Sequence, residues 1–110
     1  MIYCFDLDDT ICFPNHGETS SYEKYGLAKP NVPMIYFINR TRSKGHKIII
    51  HTARRMLTHN GDLSKIKEDV GQITKDWLDS NGVSYDELIF GKPYADFYVD
   101  DKNLLIRDLI

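Results

Sequence analysis

The chain has 110 residues, 42% of them hydrophobic and 27% charged, with a formal charge of −2. That length holds one domain with one proper core, and the balance of apolar to charged residues excludes an intrinsically disordered chain. The small net charge gives no broad electrostatic case for nucleic acid or an anionic membrane, and no apolar run approaches the ~20 residues that span a bilayer.

The first element is MIYCFDL, a short apolar run rich in strand formers that leads directly into Asp6, Asp8 and Asp9. The opening MIYCF lacks the basic and small-residue flanks of a secretory signal, so a cytoplasmic location is expected. Cys4 and Cys12 match no metal-site spacing, and Cys4, inside an apolar run, is expected in the core. From Thr10 to Pro30 the chain is polar and has no clear period. Stretches of that length in compact domains tend to be functional or mobile. NVPMIYFINRTRSKG then carries helix signals, with Asn31 as N-cap, Pro33 in the first turn and Gly45 as the stop.

HKIIIHTAR predicts a strand whose Ile48, Ile49 and Ile50 suit burial on both faces. After RMLTHNG, Asp62 caps a second helix in which Leu63, Ile66, Val70, Ile73 and Trp77 recur at steps of three and four. Gly82 ends it. DELIF and DFYVDD predict two more short strands around GKPYA, and KNLLIRDLI a short closing helix. The order β, long loop, α, β, α, β, β, α points to an α/β fold: a three-layer, doubly wound (Rossmann-like), mostly parallel sheet in a single domain.

Each expected strand ends at reactive residues: Asp6 and Asp8, then Thr52 and Arg54, then Lys92, then Asp100 and Asp101. Ligands of open α/β sheets bind beyond the carboxyl ends of the strands, so four segments would converge on one crevice. Clustered carboxylates with a lysine suit Mg²⁺ shared with a phosphate, and the cation would relieve the repulsion among the first aspartates. One aspartate can then attack phosphorus to give an aspartyl-phosphate, and a second, two residues on, can protonate the leaving oxygen and later activate water. A threonine hydroxyl and a lysine would hold the phosphoryl oxygens.

DLDDT, IIIHTAR, GKP and YVDD, in that order, resemble the four motifs of the haloacid dehalogenase superfamily of phosphatases. The pattern is most similar to small bacterial members associated with capsule or surface-polysaccharide synthesis. The resemblance implies Asp6 as nucleophile and Asp8 as general acid/base, with Thr10 supporting the first loop. It implies Thr52 as a phosphate-binding residue and Lys92 bridging nucleophile and phosphate. Asp100 becomes a Mg²⁺ ligand beside Asp6 and the Asp8 backbone carbonyl, and Asp101 a direct or water-mediated partner. Arg54, two residues beyond Thr52, is a further substrate-binding candidate. The stretches 10–30 and 55–61 are too short for the cap domain of larger relatives, so no cap is expected. The substrate is then a small phosphorylated molecule, or a large or polymeric one admitted by the open site, or a neighbouring copy in a homo-oligomer closes it.

Plainer explanations exist for each piece. Aspartate is common where a strand turns, threonine is frequent at strand ends, and Lys92 before Pro93 fits a solvated turn. Asp100 and Asp101 could cap the last helix, and Arg54 could be a surface arginine. His51 is expected to alternate away from the site, while Tyr22, Lys24 and Tyr25 are substrate candidates by position alone. The joint occurrence favours a phosphatase over a silent phosphate-binding module, and the resemblance implies a sugar phosphate or capsule precursor as substrate, with a nucleotide or a phosphoprotein as the alternatives. A response-regulator receiver fits poorly, because its phosphorylated aspartate should end a middle strand, where His51, Thr52 and Ala53 stand.

Overall fold

A computed structural model describes all residues, Met1 to Ile110. Strands β1 (Ile2–Phe5), β4 (Lys47–Thr52) and β5 (Glu87–Phe90) form one sheet in the order β1-β4-β5, and both pairings are parallel. Phe5 lies opposite Ile50 and Thr52 opposite Phe90, so all three strands finish at the same sheet edge. A small antiparallel hairpin, β2 (Cys12–Phe13) with β3 (Lys29–Pro30), brackets the long polar stretch.

Helix α1 (Val32–Ser43) has Pro33 in its first turn, as the sequence predicts. Asn31 does not cap it with its side chain. Its amide instead donates to the Thr10 carbonyl at 2.9 Å, tying the helix start to the first loop. The second helical run comprises α2 (Leu63–Ile66), a π-wound turn over Lys67–Gly71, and α3 (Gln72–Ser80). Asp62 caps it, its carboxylate accepting from the Lys65 N–H at 3.2 Å. The π-wound turn adds residues to a turn and rotates the following face. Thr74 is therefore fully buried while Ile73 is only partly so. The apolar stripe expected from Leu63 to Trp77 is broken at both Leu63, which is exposed, and Ile73.

The core fills one face of the sheet. Phe5, Ile48 and Ile50 meet Met34, Ile35 and Ile38 of α1 and Trp77 and Leu78 of α3. Side chains alternate along β4, so Ile48, Ile50 and Thr52 are buried while Ile49 and His51 are half-buried. The isoleucine run thus has one closed face rather than two. Cys4 shares the open face and is exposed, contrary to its expected core position.

DFYVDD does not form a strand. β1 has one hydrogen-bonded neighbour, β4, and its other edge is unpaired. Without ladder bonds or a face to bury, strand-forming residues stay irregular, and Phe97 and Val99 are 87% and 99% exposed. The closing helix shrinks to α4 (Ile106–Leu109). No cap domain is present, and the fold class is the expected α/β, Rossmann-like one. No helix is long and apolar enough to cross a membrane.

Candidate active site

The chain turns sharply after β1 because the Leu7 carbonyl accepts from three amides, those of Thr10, Ile11 and Cys12, at 3.2, 2.8 and 3.3 Å. Asp9 takes a left-handed conformation (φ 62°) inside that turn, and its carboxylate reaches His16 at 3.3 Å. It serves the turn, as its position suggests. Asp6 and Asp8 flank Leu7, which is itself fully buried and anchors the loop.

Asp6 is half-buried, with Lys92 Nζ 3.4 Å from its Oδ1. Burial pushes its carboxyl above the ordinary aspartate range; Lys92 and the Leu7 N–H oppose the shift without cancelling it. Lys92 arrives because its own N–H donates to the Thr52 carbonyl at 3.1 Å, extending the β4–β5 ladder by one bond. Its ammonium also lies 4.2 Å from the centre of the Tyr98 ring. Gly91 makes that placement possible, with φ 95° and with Leu63 Cδ2 only 2.8 Å from where a Cβ would sit. Gly91→Ala should lose at least about 1 kcal/mol in urea unfolding, because both the backbone and Leu63 would have to shift.

Asp8 meets a different partner. Arg54 Nε donates to both of its carboxylate oxygens at 3.0 Å, and Nη2 donates to Oδ1 at 2.8 Å. The Arg54 side chain is wholly buried. Nη1 donates to Thr74 Oγ1 at 2.8 Å, and the guanidinium lies 4.3 Å from the centre of the buried Tyr25 ring. Arg54, expected at the substrate, therefore has its donors directed to Asp8 and Thr74. Thr52 is buried too, its hydroxyl accepting from the Arg54 N–H at 3.1 Å. Cys12 sits beneath this group, its thiol pushed up to about 12 by burial and by Asp8. His51 is half-buried, and burial followed by the Lys92 charge lowers its pKa.

A cavity of about 420 Å³ opens here, lined by Asp6, Asp8, Thr52 and Arg54 from the strand ends and by Lys24 and Tyr25 from the long polar stretch. The structure thus brings Asp6, Asp8, Thr52, Arg54 and Lys92 together. It does not bring Asp100 and Asp101 to them. Both are exposed, with Asp100 accepting from the Lys102 N–H at 2.9 Å and Asp101 from Lys102 Nζ at 3.1 Å. The cause is the missing fourth strand, which would have been needed to hold them at the sheet edge. No three Asp, Glu, His or Cys side chains are grouped so as to hold a metal. The expected Mg²⁺ ligand set of Asp6, Asp8 (through its backbone carbonyl), Asp100 and Asp101 therefore does not fit a metal as placed, since Asp100 and Asp101 are turned to Lys102 and do not group with Asp6.

Two contributors escaped the sequence. Thr74 reads as a helix residue with no signal beyond a hydroxyl near an apolar stripe. Asp69 is one acid among several in KEDVG, yet it accepts from Ser21 and lies 2.8 Å from His59 Nε2. Burial pushes its carboxyl up, but the bonds from Ser21 and His59 and the Arg55 charge outweigh it and hold it below the usual range.

No family model and no curated protein matches the chain. Among solved structures, the crystal structure of a structural-genomics target from Vibrio cholerae is 32% identical with a TM-score of 0.86, and the match covers 98% of this chain and 85% of that one. The Pnkp1/Rnl/Hen1 complex contains a chain 19% identical with a TM-score of 0.59, matched over 91% of this chain and 30% of its own length. D,D-heptose 1.7-bisphosphate phosphatase from B. bronchiseptica, crystallised with magnesium and phosphate, is 14% identical with a TM-score of 0.54, over 93% of this chain and 53% of that one. The chain therefore has the haloacid dehalogenase-like fold and belongs to one family with the Vibrio cholerae protein.

Proposed function

We propose that the chain is a phosphomonoester hydrolase with Asp6 as its nucleophile, acting on a sugar phosphate or a capsule or polysaccharide precursor. The observation that carries this reading is the Asp6–Lys92 pair at the strand ends, 3.4 Å apart and beside the cavity that holds Thr52. An Asp6 carboxylate oxygen attacks phosphorus, the P–O bond to the leaving alcohol breaks, and an aspartyl-phosphate forms. Lys92 offsets charge on the phosphoryl oxygens as the bond order shifts. Asp8, held in one orientation by Arg54, takes up a proton from solvent as the substrate binds, gives it to the leaving oxygen and then takes one from the water that cleaves the acyl phosphate. Thr52, which lines the cavity, is the further phosphate contact in this reading. The family pattern and the magnesium in the heptose bisphosphate phosphatase crystal support Mg²⁺ as the cofactor. As the carboxylates are arranged here, no step is assigned to it. A cytoplasmic, capless enzyme is the accompanying expectation.

The test is phosphate release from an aryl phosphate and from panels of sugar phosphates, nucleotides and phosphopeptides, with Mg²⁺ and with chelator. Turnover of sugar phosphates ahead of the other classes supports the proposal. Absence of release from every ester, with and without Mg²⁺, rejects hydrolysis and leaves the silent phosphate-binding module.

A further inference from the structure

The stretch between the hairpin strands, without a period in sequence, is pinned in the fold. Its π-wound turn, Tyr22–Gly26, packs on α3, where Gly26 leaves room for the Tyr22 ring and Ile73. The tightest attachment is Asp69, in the π-wound turn Lys67–Gly71. Its Oδ1 accepts from the Ser21 hydroxyl of the covering stretch. Its Oδ2 lies 2.8 Å from His59 Nε2 and 3.5 Å from Arg55 Nε, both in the loop after β4. Arg55 closes the circle, with Nη2 donating to the Thr19 carbonyl at 2.8 Å and to Ser21 Oγ at 3.2 Å.

Arg55 takes a left-handed backbone conformation (φ 59°), which is uncommon for a residue with a side chain and persists where surrounding contacts hold it. Its guanidinium lies 5.2 Å from the centre of the Tyr25 ring, against which Arg54 also packs. One carboxylate thus joins the covering stretch and the loop after β4, both of which line the cavity that Asp6 also lines.

We propose that Asp69 is a positioning residue for the phosphoester site: it locks residues 15–28 onto the 53–61 loop, so the chain supplies its own fixed cover and admits small phosphomonoesters. This rests on the hydrolase reading above. Lys24 and Tyr25 form the cover's inner wall, and a cavity of about 420 Å³ falls in the range that encloses a small molecule. Closure by a second copy is then not required.

The test combines hydrogen exchange and kinetics on the full chain. In Asp69→Asn, amide exchange over residues 15–28 should accelerate about tenfold, the effect of losing a charge-assisted hydrogen bond. The amides of Asn15, Lys24, Leu27 and Ala28 report it, because each is bonded inside the cover. KM for a small sugar phosphate should rise about tenfold with kcat within twofold, as expected for lost ground-state positioning. Ser21→Ala, which removes only the cover's side of the lock, should shift both readouts in the same direction and by less.

Unchanged exchange over 15–28 in both variants would overturn the lock. So would a fall in kcat with unchanged KM. A wild type inert on every phosphoester defeats the hydrolase reading and the positioning role together, and the exchange data still decide whether the cover is locked.

Discussion

Asp6→Asn should abolish phosphate release, by about three orders of magnitude or more, and at the same time raise the melting temperature at pH 7. The first effect follows from removing the attacking oxygen's charge and nucleophilicity while keeping its shape. The second follows from the environment of Asp6. Half-buried, its carboxyl is held above the ordinary aspartate range by desolvation, and Lys92 at 3.4 Å does not compensate fully. A carboxyl whose folded pKa is raised contributes stability that is fully present below its unfolded pKa and is lost as pH rises through the folded value. The wild type at pH 7 therefore carries the whole cost of an ionised Asp6, and the neutral amide does not. The gain in melting temperature should be larger at pH 7 than near pH 3, where the wild-type carboxyl is protonated in both states. Calorimetry across that range with a parallel phosphate assay reads both effects. Retained turnover would remove Asp6 from the nucleophile's place.

Arg54→Met should cost about 3 kcal/mol of folding free energy, near the low end for breaking a buried ion pair, because Asp8 keeps some contact with water. The substitution preserves bulk against Tyr25 but deletes three contacts to Asp8 and the bond to Thr74. Arg54→Lys should rescue little of this. An ammonium is a point charge and cannot make the fork to Asp8 while also reaching Thr74. Turnover should fall more than KM rises in the methionine variant, since what is lost is the orientation of the proton-transfer group. Urea unfolding and steady-state kinetics measure the two losses. A methionine variant as stable as the wild type would show that the pair contributes nothing net to the fold.

Arg54 also shows where sequence is legible and where it is not. The strands β1, β4 and β5 are readable because MIYCF, KIIIHT and ELIF have strand-forming composition, and Asp62 is readable because an N-cap works through its nearest neighbours. Arg54 is recognisable as part of the site because it stands two residues beyond a strand end. Its partner is not, because Asp8 lies 46 residues away and the choice between substrate and Asp8 is made by tertiary packing. Asp69 and Thr74 are hidden for the same reason, their partners lying across the fold on Ser21, His59 and Arg54. DFYVDD misleads in the opposite sense. Its composition is that of a strand, but strand formation requires a neighbour to accept its hydrogen bonds, and the free edge of β1 does not pair with it.

The all-parallel pairing of the three-stranded sheet has a kinetic consequence. Ile2 finds its partner at Lys47 and Ile49 finds its partner at Glu87, so each ladder closes a loop of roughly forty residues before its first bond forms. Such a chain gains little from local contacts early in folding, and its refolding belongs in the slower class set by distant pairings rather than with small helical proteins. During synthesis β1 emerges before β4, its hydrogen-bonded neighbour, and waits for it. Until then its apolar run, carrying the reactive aspartates at its end, stands exposed to any other unfinished strand.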